Sequence, residues 1–137
     1  MAGVLELARD QSVEVTGFVE DVRPFIRNAG VAVAPLRMGG GILNKILEAM
    51  AMGVPVVASR IAIHGLSIEP GRHLFVCDDD EQFAAAVKRL LLDSELRSRM
   101  ALAARQYVET YHQRQPIVNR YQAKLEHLLM GTYAYRD

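Results

Sequence analysis

A triple glycine followed at once by an amphipathic helix is the part of this chain best equipped for chemistry. Glycines occupy positions 39–41, and the apolar spacing predicts a helix from Ile42 onward. Glycine lets a backbone approach a ligand closely, and a helix N-terminus offers unpaired N–H groups and the positive end of a dipole. The segment therefore predicts a cradle for a phosphate or diphosphate, to which Arg37 or Lys45 could add a fixed positive charge.

The predicted helix has one apolar face and one polar face. The positions with the spacing of a buried stripe are Leu43, Ile46, Leu47 and Met50. On the opposite face, Glu48 could accept hydrogen bonds from both hydroxyls of a ribose. Two simpler interpretations stay open. The glycines could form only a flexible loop, and Lys45 and Glu48 could form an i, i+3 ion pair on a solvated surface.

Apolar runs on both sides of this helix predict the strands that position it. The candidate strands lie at residues 13–16, 31–34, 54–58 and 74–77. Helical patterns alternate with these runs and then close the chain. The order predicts an α/β fold, with a Rossmann-like, mostly parallel sheet of about four strands and helices at the C-terminal end.

Capping signals predict where the flanking helices begin. Asp21 can cap a short helix that ends at Asn28, and Asp78 with Glu81 three residues later has the spacing of a capping box. A further helix is predicted from Ser94, with one face formed by Leu96, Met100, Ala104, Val108 and Tyr111. The last predicted helix begins at Pro116, a residue suited to a first helical position.

Length and composition favour a single domain over residues 1–137. The 16 basic residues balance the 16 acidic ones, so no overall charge attracts nucleic acid or an anionic membrane. The single cysteine, Cys77, can form no internal disulfide and is typical of a small buried side chain in a reducing cytosol. With neither a signal peptide nor an apolar membrane span in the sequence, we expect a cytoplasmic protein with at most peripheral membrane contact. Helix capping explains the aspartates at 78–80, so no metal site is predicted.

The central segment also resembles a known protein family. Residues 34–57 contain a glycine-rich loop, then Glu-Ala-Met-Ala, a glycine and Pro-Val-Val, which is similar to the donor-binding segment of family 4 glycosyltransferases. The resemblance to their C-terminal domain extends over residues 13–111 and includes Val-Thr-Gly-Phe-Val-Glu-Asp at 15–21. It implies part of a GT-B fold and a retaining enzyme that takes a hexosyl group from a UDP- or GDP-sugar donor without a metal or other cofactor.

The resemblance implies roles for individual residues. The turn formed by Gly17, Phe18 and Val19 would lie near the base of the nucleotide, and Glu48 would contact its ribose. The residues that would surround the diphosphate are Gly39, Gly40, Gly41 and Ile42, together with Arg37 and Lys45. No catalytic residue is identified within the chain.

Two departures from the family pattern restrict what the resemblance implies. Gly40 stands eight positions before Glu48, where the family has a first glutamate that helps to hold the donor sugar. The pattern Arg-x-Gly-Gly-Gly-x-x-Asn-Lys resembles a subgroup tied to bacterial exopolysaccharide synthesis, in which that glutamate is absent. The family's arginine and lysine that neutralise the diphosphate, and its acceptor-binding N-terminal domain, precede the matched region, so we expect them upstream of Met1.

The resulting hypothesis is the donor-binding part of a glycosyltransferase of polysaccharide or glycoconjugate synthesis, inactive by itself. An alternative is a non-catalytic module that binds a nucleotide or a partner protein. A GT-B epimerase or phosphorylase fits the Pro-Leu-Arg and Glu-Ala-Met-Ala segments less well. Because the first strands of the fold are expected upstream, we expect either that strand 13–16 lies beside strand 31–34 or that two chains form a homodimer. The homodimer would use the open sheet edge or the C-terminal helices.

Overall fold

Three short parallel strands form the centre of the fold. The computed structural model describes residues 2–39, 44–112 and 124–126. Its strands are β1 (Ala32–Ala34), β2 (Val56–Ala58) and β3 (Phe75–Val76), hydrogen-bonded in the order β1-β2-β3. All three residues of β2 are buried, as expected for a central strand with both faces covered. The predicted α/β fold with a parallel sheet is confirmed.

Helices cover both faces of this sheet. In chain order the helices of the described residues are α1 (Ala2–Leu7), α2 (Arg23–Asn28), α3 (Asn44–Ala51), α4 (Asp80–Leu92) and α5 (Ser94–Tyr111), with a short 3-10 turn at Ile61–Ile63. The helices that bury residues in the core are α3, α4 and α5. On one face, Ile46 and Met50 of α3 share a buried cluster with Val56 of β2. On the other face, Leu90 of α4 packs in a cluster with Val57 of the same strand. Because successive side chains of β2 point to opposite faces of the sheet, α3 packs against one face and α4 against the other.

The long helix α5 joins the two halves of the core. Its buried residues are Leu96, Met100, Ala104 and Tyr107. The first two belong to the α4 cluster and the last two to the α3 cluster. The sequence pattern correctly predicts the helix and three members of its buried face. Val108 is partly buried against the same core, as predicted, but the prediction is wrong for Tyr111, which is 54% exposed because Tyr107 takes the buried position.

Aspartate side chains set the starts of the helices. Asp93 accepts a hydrogen bond from the Leu96 backbone N–H at 2.9 Å, and Asp79 accepts one from the Gln82 N–H at 2.8 Å. The predicted cap of α4 at Asp78 is therefore wrong by one residue. Asp78 instead accepts the Arg60 backbone N–H at 2.8 Å, which ties the end of β2 to the end of β3.

The predicted strand at residues 13–16 does not form. This segment adopts no regular secondary structure, and Val13 is 39% exposed. Alternating apolar residues become a strand only when a neighbouring strand takes up their backbone hydrogen bonds, and none of the strands in the described residues does so. The sheet therefore has three strands there and not four. Of the helix predicted from Pro116, only residues 124–126 are described, and they are helical. Its other residues and the first residues of the central helix, up to Leu43, lie outside the described residues.

The absence of a strand at 13–16 leads to a prediction about association. Within the described part of the chain, β1 pairs only with β2, and Val33 of β1 is 51% exposed. An open edge with apolar side chains favours pairing with another chain. We expect the protein to sediment as a dimer or larger species at micromolar concentration, and Val33→Lys to shift it toward the monomer. A wild-type protein that sediments as a monomer would contradict this expectation.

Candidate functional site

The carboxyl ends of the three strands meet at one edge of the sheet. Arg37 follows β1, Ser59 follows β2, and Asp78 follows β3, and all three line one small pocket. Parallel α/β sheets bind their ligands at this edge, because loops and helix N-termini converge there. The pocket lies beside the start of the loop in which the phosphate cradle is predicted.

A buried serine fixes the loop that leads into the glycines. The Ser59 hydroxyl lies 2.7 Å from the Leu36 carbonyl oxygen and donates to it, and the Ser59 backbone N–H donates to the Ala34 carbonyl at 3.1 Å. The residue is only 7% exposed. Ser59 thus anchors the first residues after β1 to the end of β2, a structural role that its position in the sequence does not reveal.

The glycine loop is described at its first residue only. Gly39 has a φ of +129°, a conformation that side-chain-bearing L residues rarely adopt. A Cβ at this position would meet no atom within 4 Å, so glycine is required here by the backbone and not by a neighbouring group. Gly40, Gly41 and Ile42 lie outside the described residues, and their predicted contact with a diphosphate stays a prediction.

The two cations predicted to assist the cradle have separate environments. Arg37 points to Asp80 in the first turn of α4, with its Nη2 atom 2.9 Å from Oδ2 and 3.1 Å from Oδ1. Lys45 lies in the first turn of α3 and lines an apolar groove with Val22 and Ile26. The structure therefore brings Arg37 to the carboxyl-edge pocket, whereas Lys45 faces a different surface.

Glu48 lies on the exposed side of α3, as predicted. The opposite side of the helix is anchored by Ile46, which is 1% exposed, and Met50, which is fully buried. Within the described part of the chain no ion pair joins Lys45 to Glu48, so the alternative of a surface pair is not realised. The Glu48 carboxylate is therefore presented by a rigid helix to a surface groove.

Residues that follow the predicted base-binding turn share this groove with Glu48. The groove is lined by Glu48 and Ala51 of α3, by Met52 just after this helix, and by Glu20, Asp21, Arg23 and Arg27. The turn itself has Gly17 at a φ of +66° and Phe18 with a side chain that is 93% exposed, followed by the half-buried Val19. Asp21 and Glu48 are 27 positions apart in the sequence, yet both line this open groove.

A fixed ion pair shapes one end of the groove. The Asp21 carboxylate accepts the Arg23 Nε–H at 2.8 Å, the Arg23 Nη2–H at 3.0 Å and the Arg23 backbone N–H at 2.9 Å. These bonds lower the pKa of Asp21, chiefly through the arginine side chain, so this carboxylate stays ionised. The same backbone bond lies at the start of α2, but the residue in the N-cap position is Val22, so the predicted cap at Asp21 is one residue too early.

A second polar cluster lies away from the carboxyl edge and holds the loop after β2 against α5. The Tyr107 hydroxyl accepts the Ser67 backbone N–H at 3.1 Å, and its ring lies 5.0 Å from the His73 ring. His73 Nδ1 accepts the Glu69 backbone N–H at 3.1 Å, which requires that nitrogen to carry no proton. Burial lowers the pKa of His73, and this effect exceeds the opposing influence of the nearby Glu69 carboxylate.

This cluster predicts that acid destabilises the fold. In the unfolded chain His73 binds a proton below about pH 6.5, whereas burial in the folded chain opposes this protonation. The contribution of His73 to the free energy of unfolding is therefore fully present above that pH and is lost as the pH decreases. We expect the urea midpoint to decrease between pH 7 and pH 5, and His73→Asn to reduce that decrease. His64→Asn, at an exposed position, is the matched control. An unchanged pH dependence in His73→Asn would assign the effect to other groups.

The described residues contain neither a membrane-spanning helix nor a group of metal ligands. None of the described helices combines the length and hydrophobicity that a bilayer-spanning helix needs. Within residues 2–39, 44–112 and 124–126, no three His, Cys, Asp or Glu side chains are grouped so that they could hold a metal ion.

Comparison with known proteins gives consistent results. The curated lipopolysaccharide core biosynthesis glycosyltransferase LpsE of Rhizobium meliloti (strain 1021) is 31% identical over 112 residues, which are 80% of this chain and 32% of that protein. The chain thus spans about a third of the length of this relative. The crystal structure of the C-terminal domain of the glycosyl transferase group 1 family protein LpcC from Francisella tularensis superposes with a TM-score of 0.69. At 23% identity, over 82% of this chain and 60% of that one, this similarity shows the fold.

The sequence also matches the model of a protein family, and this match identifies the family of the chain. The model that describes glycosyl transferases group 1 matches residues 2–93, which include β1, α3 and Glu48 and make up more than half of the chain. The match includes residues 15–21 and 34–57, whereas residues 94–111 lie outside it. This chain therefore belongs to the group 1 glycosyltransferases and has the fold of their GT-B C-terminal domain.

Proposed function

We propose that this chain is the nucleotide-sugar-binding part of a retaining glycosyltransferase, which transfers a hexosyl group to a hydroxyl acceptor. The observation that carries the proposal is the groove shared by Glu48 and residues 20–23, directly after the predicted base-binding turn. It gives one surface on which a ribose and a base can be bound together. The name of the relative LpsE refers to lipopolysaccharide core biosynthesis, and we extend the proposal to polysaccharide or glycoconjugate synthesis in the cytoplasm.

In this proposal, different parts of the site bind the diphosphate and the ribose of the donor. The helix α3 begins at Asn44, five positions after Gly39, and in this proposal the positive end of its dipole and its first N–H groups bind the diphosphate. Glu48, about one turn after Asn44, is then available to the ribose hydroxyls. The distance between them is set by one rigid helix, so both contacts can be made by a single nucleotide.

Catalysis in this proposal depends on charge stabilisation. The leaving group of the transfer is a nucleoside diphosphate, on which negative charge increases as the glycosidic bond breaks. Preorganised N–H groups and cations at the glycine loop lower the energy of that charge. The chain contributes this half of the site, and the acceptor would be held by residues upstream of it in a longer protein.

The isolated chain is expected to bind UDP or GDP weakly and to transfer no sugar. In this proposal the acceptor site and part of the diphosphate site belong to a longer protein, so the chain alone holds only part of the complete site. Calorimetric titration with each nucleotide measures the first property, and release of nucleotide from UDP- and GDP-sugars measures the second.

The results of these two measurements separate the candidate functions. Binding of one nucleotide without turnover supports the proposed donor-binding part. Turnover by the purified chain contradicts the expected inactivity. Absence of binding by either nucleotide contradicts the proposal and favours a module that binds a partner protein.

A further inference from the structure

An ion pair joins the proposed phosphate loop to a helix on the far side of the sheet. Arg37 and Asp80 are 43 residues apart in the chain, yet Arg37 Nη2 contacts both Asp80 carboxylate oxygens, at 2.9 and 3.1 Å. Arg37 lies two positions before Gly39, and Asp80 is the first residue of α4. The cation best placed to assist the glycine loop is therefore already bound by a carboxylate of the protein.

The pair is weak enough to be broken by a stronger anion. The Arg37 and Asp80 side chains are 81% and 89% exposed, so water competes with the contact and salt screens it. A phosphate offers a guanidinium the same bidentate geometry as a carboxylate and carries more charge.

Release of Arg37 leaves Asp80 in a favourable position. Asp80 belongs to the first turn of α4, where the helix dipole stabilises a negative charge, and the cap of that helix is the neighbouring Asp79. The Asp80 carboxylate therefore keeps a favourable position at the helix N-terminus without the cation. The helix start also stays intact when the pair opens.

We infer that Asp80 competes with the nucleotide diphosphate for Arg37, and so lowers the affinity of the donor site. This inference rests on the proposed function, because it requires a diphosphate at the glycine loop. Asp80 thereby acts as a regulator of the site, and its contact with Arg37 must open each time a donor binds. Arg37 moves from Asp80 to the phosphate, and product release restores the pair.

The test is a titration of UDP and GDP into Asp80→Asn. We expect binding about two- to fivefold tighter than that of the wild type, the range that corresponds to the loss of one exposed ion pair. Glu81→Gln is the matched control, because it removes the same charge from the same exposed helical turn without a contact to Arg37. Its affinity is expected to equal that of the wild type.

A double-mutant cycle with Arg37→Ala isolates the pair. In the Arg37→Ala background, Asp80→Asn is expected to change the affinity no further. Equal effects of Asp80→Asn and Glu81→Gln, or an effect of Asp80→Asn that persists without Arg37, overturn the inference while wild-type binding still supports the proposed function. If neither the wild type nor any variant binds UDP or GDP, the proposed function fails and the inference fails with it.

Discussion

Replacing Glu48 with alanine is expected to weaken UDP or GDP binding by about 1.5 to 3 kcal/mol, a factor of roughly 10 to 150. Hydrogen bonds from two ribose hydroxyls to one carboxylate are charge-assisted, which makes them stronger than neutral ones. The helix that presents Glu48 is fixed by its buried side, so another group cannot easily take its place. Calorimetric titration of the purified variant measures the loss.

Controls separate this effect from general changes in charge and stability. Glu95→Ala removes an exposed carboxylate from α5 and is expected to leave the affinity unchanged. Glu48→Gln keeps the shape of the side chain and one carbonyl acceptor, and an intermediate loss is expected. If Glu48→Ala binds as tightly as the wild type, Glu48 does not contact the nucleotide.

Replacing Met50 with alanine is expected to destabilise the fold by about 2 to 5 kcal/mol. Met50 is fully buried where α3 meets the sheet, in a cluster with Val56 and Ala104. The truncation removes buried apolar contacts and leaves a cavity that the surrounding strands and helices cannot fill completely. Urea unfolding followed by circular dichroism measures the change.

The chain provides its own comparison for this experiment. Met38, in the loop after β1, is 86% exposed, and Met38→Ala is expected to change the stability by no more than about 0.5 kcal/mol. Both variants remove the same atoms, so the difference between them measures burial. A similar small effect at both positions would show that α3 is not packed against the sheet as described.

Much of the fold could be predicted because its signals are local. The apolar runs at 31–34, 54–58 and 74–77 contain the three strands, and the spacing in the central segment correctly gives α3 its buried and exposed faces. The start of α5 at Ser94 was equally predictable. These features depend on residues within about four positions of one another, where backbone sterics and side-chain periodicity decide the conformation.

The predictions that the structure corrects concern segments whose local sequence allows two outcomes. Asp78 and Asp79 can each cap a helix, and the choice of Asp79 follows from the Arg60 backbone N–H, which takes Asp78. The alternating residues 13–16 could form a strand, but strand formation needs a neighbour that the sequence of the segment does not contain. Sequence periodicity carries no information about such partners.

The sequence by itself determined the chemistry of the candidate site: the glycine loop, the amphipathic α3 and the carboxylate of Glu48 on its polar face. Only the tertiary structure decided that Glu48 shares a groove with Asp21, and that Arg37 is bound to Asp80. Parallel strand pairing brings Arg37 and Asp80 together, because it aligns the carboxyl ends of β1 and β3, which are distant in the chain. Glu48 meets Asp21 because α3 and the segment before α2 lie beside each other in the folded chain. Contacts between distant residues depend on how the strands are ordered, and no local pattern specifies that order.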